Sequence, residues 1–171
     1  MTNTSPLVVP TRAKKCAVGT NPITLAAPGK NGDSFVLDMA TSAVAVGKVE
    51  LQNVKGEPLP DGWACDKDGK ITNDPVVARS EGGLMPLGGS ELTSGYKGFG
   101  LGAMVEIMCG ILAGSSFGPF VRNWKSTSTE ANLGQCFMAI DPNAFADGFE
   151  DRMQTLMDYF RNMEPVIFTF A

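Results

Sequence analysis

Over the first forty residues the chain runs in short apolar bursts divided by breakers. Leu7-Val8-Val9 sits between Pro6 and Pro10, Ile23 to Ala27 between Pro22 and Pro28, and Ser34 to Leu37 follows Gly29-Lys30-Asn31-Gly32-Asp33. Runs of this length bounded by Pro and Gly read as strands, and the three are expected to share one sheet. Thr41 or Ser42 then offers a hydroxyl N-cap for a helix to about Asn53, with Val44, Val46, Val49 and Leu51 as apolar positions and Gly56 and Pro58 ending it. Pro60 to Asp74 reads as a loop holding one hairpin, Trp63 to Ile71, with Asp68-Gly69 favouring a type I′ turn.

The second half changes period. Gly82-Gly83 and Gly88-Gly89 bracket Leu84 to Leu87, a loop whose glycines let backbone approach something closely. Gly95-Tyr96-Lys97-Gly98 leads into an almost uncharged helix from about Phe99 to Ala113. Such a helix belongs in a core, so Glu106 within it must face a partner or a cleft. A polar loop (Ser126 to Asn132) and a short strand (Cys136 to Ile140) follow. Pro142-Asn143 then opens a last helix, in which Phe145, Phe149, Met153, Leu156, Phe160 and Met163 form an apolar stripe expected to be core. Pro165 stops that helix. Strands and helices mix without regular βαβ alternation, which points to the α+β class.

Composition narrows the function classes. Hydrophobic residues make up 43% and charged residues 19% of the 171 residues, a globular balance sufficient for a core. A net charge of −4, with no basic run longer than Lys14-Lys15, argues against nucleic acid. The most apolar stretch, Phe99 to Leu112, contains Glu106 and is too short to span a bilayer, and the N-terminus lacks the pattern of a signal peptide. A soluble, cytoplasmic protein with no membrane partner is expected. The four cysteines stand far apart, as reduced thiols would, and Asp66 and Asp68 lack the register of a calcium loop, so no metal site is assigned. The sequence holds no histidine, the side chain that most often acts as general acid or base near neutral pH.

Generic nucleotide and hydrolase motifs fail. Gly98-Phe99-Gly100-Leu101-Gly102 is G-x-G-x-G without the third glycine of the dinucleotide fingerprint, and neither a P-loop nor a G-x-S-x-G elbow occurs. More specific strings are present: Thr2-Asn-Thr-Ser-Pro-Leu-Val-Val-Pro10, Gly19-Thr-Asn-Pro-Ile23, Asp38-Met-Ala-Thr-Ser42, Leu87-Gly-Gly89, Gly95-Tyr-Lys-Gly98 and Asn132-Leu-Gly-Gln135. Collinear and similarly spaced from the first residue to about Pro165, they resemble the type 2 malate/L-lactate dehydrogenase family, which includes ureidoglycolate and sulfolactate dehydrogenases.

The resemblance implies NAD or NADP held on a non-Rossmann, mixed or antiparallel sheet packed by helices. It also implies a homodimer, and hydride transfer to or from C2 of a small 2-hydroxy or 2-oxo acid such as malate or lactate. Carried over residue by residue, Thr4, the segment Asp38-Met39-Ala40 and Lys97 fall on cofactor-contacting positions. Physically, Asp38 accepts from ribose hydroxyls, Met39 and Ala40 offer backbone, Thr4 offers a hydroxyl, and Lys97 is a compact cation for a pyrophosphate or carboxylate. Read without the family, Asp38 is as well explained as a cap of the following helix, Lys97 as a solvated loop residue and Thr4 as part of a loose terminus.

Family members carry a catalytic histidine and a substrate-binding arginine upstream of this pattern, and a further cofactor-contacting stretch downstream. No catalytic residue is therefore assigned, and the expectation is a chain truncated at both ends. Residues 1–165 then form a partial dinucleotide-binding domain and 166–171 a divergent tail. The competing expectation is a non-catalytic dinucleotide-binding or dimer-interaction protein.

Overall fold

The computed structural model describes residues 1–166; the tail expected at 166–171 falls, beyond Val166, outside the described residues. The chain divides into two compact units, each described by itself: Met1–Ile23 with Met39–Phe137, and Thr24–Asp38 with Met138–Ala171.

In the first unit Leu7 to Val9 is extended, but only single bridges join it to its neighbours, Val8 to Val18 and to Leu84. Helix α1 (Val46–Lys55) buries Val49 and ends at Gly56 in a left-handed cap with φ 69°. Its N-cap is Ala45, without a side-chain cap. The start expected at Thr41 or Ser42 is therefore wrong, because both hydroxyls are spent on carbonyls: Thr41 donates to Thr20 and Asn21, Ser42 to Val44.

Between residues 60 and 85 lie two short strands, β1 (Ala64–Cys65) and β2 (Gly83–Leu84), paired antiparallel, with helix α2 (Pro75–Ser80) between them in sequence. Asp74 caps α2, its carboxylate accepting from the amides of Val76 and Val77 at 2.7 and 3.2 Å, with Pro75 in the first turn. The Asp68-Gly69 turn forms, but only Gly69 has positive φ (79°), so it is not type I′, which needs two such residues. Asp66 replaces that geometry, its side chain accepting from the amides of Asp68 and Lys70. Asp66 thus has a structural task. Val8, Val18, Val44, Val49, Leu59, Ala64, Ala78 and Leu84 close the core of this unit.

Helix α3 (Gly95–Val105) begins four residues before the expected start and continues as a π-helical turn, Glu106–Ile111. Val105, Glu106 and Cys109 are buried, whereas Met104, Ile107, Ile111 and Leu112 are exposed. The expectation of a helix buried all round is corrected to one buried on a single stripe. The sequence Gly98 to Gly102 lies inside α3 and not at a strand-to-helix turn.

The second unit holds strands β3 (Ile23–Pro28) and β4 (Ser34–Met39), which pair with each other in a two-stranded sheet, and helix α4 (Phe149–Arg161). Two of the three segments expected to share a sheet do so, and the third, Leu7–Val9, belongs to neither sheet. The turn between β3 and β4 is latched to α4. Gln154 and Arg161 both donate to the Asp33 carboxylate, and the Lys30 amide donates back to Gln154. These donors, Arg161 first, hold the Asp33 carboxyl well below the usual carboxylate range.

Pro142 opens only a 3-10 turn, Pro142–Ala144, capped by Asp141. The strand expected at Cys136–Ile140 is not formed. The apolar stripe of the last helix is not core either. Phe145, Leu156, Phe160 and Met163 are exposed, Phe149 and Met153 line an open apolar cleft of about 540 Å³ with Leu25 and Ile140, and the buried residue is Met157.

Candidate functional site

Glu106 is the centre of the first unit's polar interior. It is 6% exposed and accepts three hydrogen bonds: Asn21 Nδ2 to Oε1 at 2.8 Å, and Asn3 Nδ2 and the Gly118 amide to Oε2 at 3.2 and 2.9 Å. Both asparagines are fully buried and cannot flip. The Asn3 carbonyl accepts from the Gly134 amide at 2.9 Å while its amide also donates to Ser116 O. The Asn21 amide also donates to Gly102 O of α3, and its carbonyl accepts from the Thr4 amide at 3.0 Å. Buried amides held at both ends in this way fix one geometry.

That network sets Thr4. Besides its amide bond, the Thr4 hydroxyl lies 3.3 Å from Asn21 Oδ1 and 3.4 Å from the Thr20 hydroxyl. Far from a loose terminus, Thr4 is half-buried on the wall of an open cleft of about 370 Å³, which it lines with Ser5, Thr20, Arg122 and Trp124. Ala40 precedes Thr41, whose amide donates to Thr20 O and whose carbonyl accepts from the Leu87 amide. Thr4, Ala40 and α3 are thus all tied to the Thr20-Asn21 segment.

Lys97 stands in the first turn of α3, exposed, with no carboxylate within 4 Å among the described residues. The glycines on either side do not clear a path to it. A Cβ on Gly98 would lie 2.2 Å from Leu87 O, and one on Gly95 would lie 1.9 Å from Gly89 O. Their absence of a side chain lets the start of α3 touch the Leu87-Gly88-Gly89 backbone. Asp38 belongs to the second unit, near the end of β4, where Thr24 donates to its Oδ1 at 2.8 Å. It caps no helix, since α1 is capped by Ala45. Met39, at the strand end, and Ala40 are half-buried.

Sequence reasoning missed Asn3, Asn21, Thr20 and Arg122. The asparagines stand inside two of the quoted strings, Thr2-Asn-Thr and Thr20-Asn-Pro, and the signal in reach was Glu106: a buried carboxylate demands donors. All four cysteines are free thiols, and burial pushes Cys16 up to about 11 and raises Cys65. No helix of the described residues is long and apolar enough to cross a membrane.

Comparison with known proteins places this arrangement. The family described as malate/L-lactate dehydrogenase matches residues 1–168. A malate dehydrogenase of Pyrococcus abyssi is 44% identical over 165 residues, 95% of this chain and 45% of that protein. A (2R)-3-sulfolactate dehydrogenase (NADP(+)) of Chromohalobacter salexigens is 36% identical over 96% of this chain and 47% of its own length. Among solved structures, the sulfolactate dehydrogenase from Methanocaldococcus jannaschii superposes with a TM-score of 0.84 at 37% identity, covering 97% of this chain and 46% of that one. The chain spans about half the length of the relatives it matches. It belongs to the malate/L-lactate dehydrogenase family.

Proposed function

We propose that this chain supplies the dinucleotide-holding part of an oxidoreductase that moves a hydride between NAD or NADP and C2 of a small 2-hydroxy acid such as malate or lactate. The observation that carries the reading is the Thr4 cleft. A threonine at a cofactor-contacting position of the family is held by the buried Asn21 and presented to an open cleft that Ser5, Thr20 and Arg122 also line. Lys97 supports it as a cation without a carboxylate partner, and Asp38 as an exposed carboxylate at a strand end.

In this reading the Thr4 hydroxyl meets a sugar or phosphate oxygen, Asp38 accepts from ribose hydroxyls, Met39 and Ala40 contribute backbone, and Lys97 meets the pyrophosphate or the substrate carboxylate. Bound NAD(P) supplies the hydride donor or acceptor; the residues named here bind and orient. The sequence holds no histidine, so none of them is assigned the proton that accompanies hydride transfer. A dinucleotide site without a Rossmann phosphate turn suits a chain whose G-x-G-x-G lies inside a helix and whose sheets are two-stranded. The same reading makes residues 1–165 a partial dinucleotide-binding domain of a cytoplasmic homodimer.

Titrating NADH and NADPH by fluorescence tests it, with turnover of malate, lactate and 2-oxo acids as the second stage. Saturable binding that weakens about tenfold in Lys97→Ala and in Asp38→Asn is expected, the scale of one charge-assisted hydrogen bond. Failure of either dinucleotide to bind at millimolar concentration refutes the reading for this chain.

A further inference from the structure

We infer that the cleft beside Thr4 contains an oxyanion subsite built on Arg122, which takes a phosphate or carboxylate group. The inference rests on the reading above only in that Thr4 faces a ligand; the charge and its housing are independent observations.

Arg122 is half-buried, and no carboxylate lies within 4 Å of it among the described residues; Arg12, Arg79 and Arg161 are paired, and Arg152, also without a carboxylate, is exposed to solvent. Its Nε is enclosed without a hydrogen-bond partner. A guanidinium does not lose its proton, so this side chain carries a charge that no protein group neutralises. None of the side chains that line the cleft is acidic, and three, Thr4, Ser5 and Thr20, carry hydroxyls. Leu7, Val46, Trp124, Ala131 and Leu133 complete the lining, and a cation without a carboxylate partner on the wall of an open cleft is placed to meet an oxygen bearing negative charge.

The guanidinium is also held in place. Its Nη1 donates to the carbonyls of Asn123 and Ser126, and the Arg122 carbonyl in turn accepts from the Ser5 hydroxyl at 2.7 Å. Val121, the residue before it, is 3% exposed and anchors the loop. The loop thus positions its charge by contacts with its own backbone and with the Thr-Ser string of the N-terminus, and Nη2 is the guanidinium nitrogen left for a ligand. Trp124 lies on the same wall, 45% exposed, with the Lys125 ammonium 5.5 Å from its ring centre. An indole with a second cation over it suits an anion attached to a flat group.

Two sources share this chemistry: the phosphates of a dinucleotide and the carboxylate of a 2-oxo acid. Pyrophosphate and oxalate serve as probes, followed by calorimetry and by Trp124 fluorescence in a Trp63→Phe background, with ADP-ribose and oxaloacetate as competitors. The parent chain should bind at least one probe. Arg122→Gln should raise its Kd about ten- to a hundredfold, the value of one charge-assisted contact, while Arg122→Lys should retain part of the affinity. Displacement of pyrophosphate by ADP-ribose identifies the dinucleotide as the source, and displacement of oxalate by oxaloacetate identifies the acid. Equal binding of both probes to the parent and to a folded Arg122→Gln variant would overturn the inference. If NADH affinity still falls in Lys97→Ala in that case, the proposed function survives without the subsite. If NADH fails to bind but the probes bind through Arg122, the reverse holds.

Discussion

Replacing Glu106 by Gln changes almost no volume and leaves three donors where three acceptor contacts stood. The glutamine has one oxygen, and its better placement is toward Asn3 and the Gly118 amide, which share Oε2. Its NH₂ then faces Asn21 Nδ2, donor against donor, across the 2.8 Å now spanned by a hydrogen bond. Asn21 cannot relieve the clash by flipping, because that would break its bonds to Gly102 O and from the Thr4 amide together. The loss is one buried hydrogen bond to a charged group plus weakening of two more. Against it stands the recovered cost of holding a carboxylate that has no Lys or Arg within 4 Å among the described residues. With about 1.5–3 kcal/mol for the lost bond and about 1 kcal/mol for the weakened pair, offset in part by desolvation, a net loss of about 2 kcal/mol is expected. For a chain of this length that lowers Tm by roughly 4–8 °C. Thermal unfolding followed by far-UV circular dichroism measures it. A Glu106→Gln protein as stable as the parent, or more stable, would refute the account of Glu106 as the acceptor that holds the two asparagines.

Gly98→Ala drives a Cβ to within 2.2 Å of Leu87 O, so the start of α3 must separate from the Leu87-Gly88-Gly89 backbone. A loss of about 3 kcal/mol or more is expected, read as a lower urea midpoint. Cys16, pushed up to about 11 by burial and then by Cys65, should resist alkylation at pH 8 until denaturant is added. Because its folded-state value lies above the unfolded one, its effect on stability is absent below about pH 9 and becomes a loss as pH rises from about 9 to 11. Asp33, whose carboxyl Arg161 and Gln154 hold low, has the opposite sign. Its contribution is present above the ordinary carboxylate pKa of about 3.9 and is lost as pH falls below that. Asp33→Asn should therefore differ from the parent at pH 7, and the difference should shrink progressively as pH falls below about 4 in an acid titration of the circular dichroism signal.

The parts of the fold legible in the sequence are those governed by local chemistry. Pro and Gly bounded the strands at residues 23–28 and 34–39 closely, and an uncharged run marked α3 together with the odd carboxylate inside it. Local rules failed where backbone carbonyls outside the helix compete for the capping hydroxyl. The hydroxyls of Thr41 and Ser42 were suited to cap a helix, but nearby backbone carbonyls accept from them, and the helix starts later. The stripe gave the body of α4 but neither its start nor its burial, because periodicity records which face is apolar and not what lies opposite. Of the site, Thr4 and Lys97 were read from the family strings alone. The reason Thr4 is fixed lies in Asn21 and Glu106, 17 and 102 positions further along, which no window in the sequence connects.

The Glu106 cluster also shapes how the chain must find its fold. Its bonds join residues 103 and 85 positions apart, and Asn3 reaches Gly134 across 131. Each such closure demands that a long, floppy stretch surrender its freedom before any reward arrives, a penalty that grows as about three-halves RT times the logarithm of loop length. Chains dominated by remote partners of this kind reach the native state in milliseconds to seconds, far more slowly than local helix formation, which takes about a microsecond or less. Refolding of this chain is therefore expected to be slow on the scale of local helix formation, with closure onto the first four residues among its costliest steps.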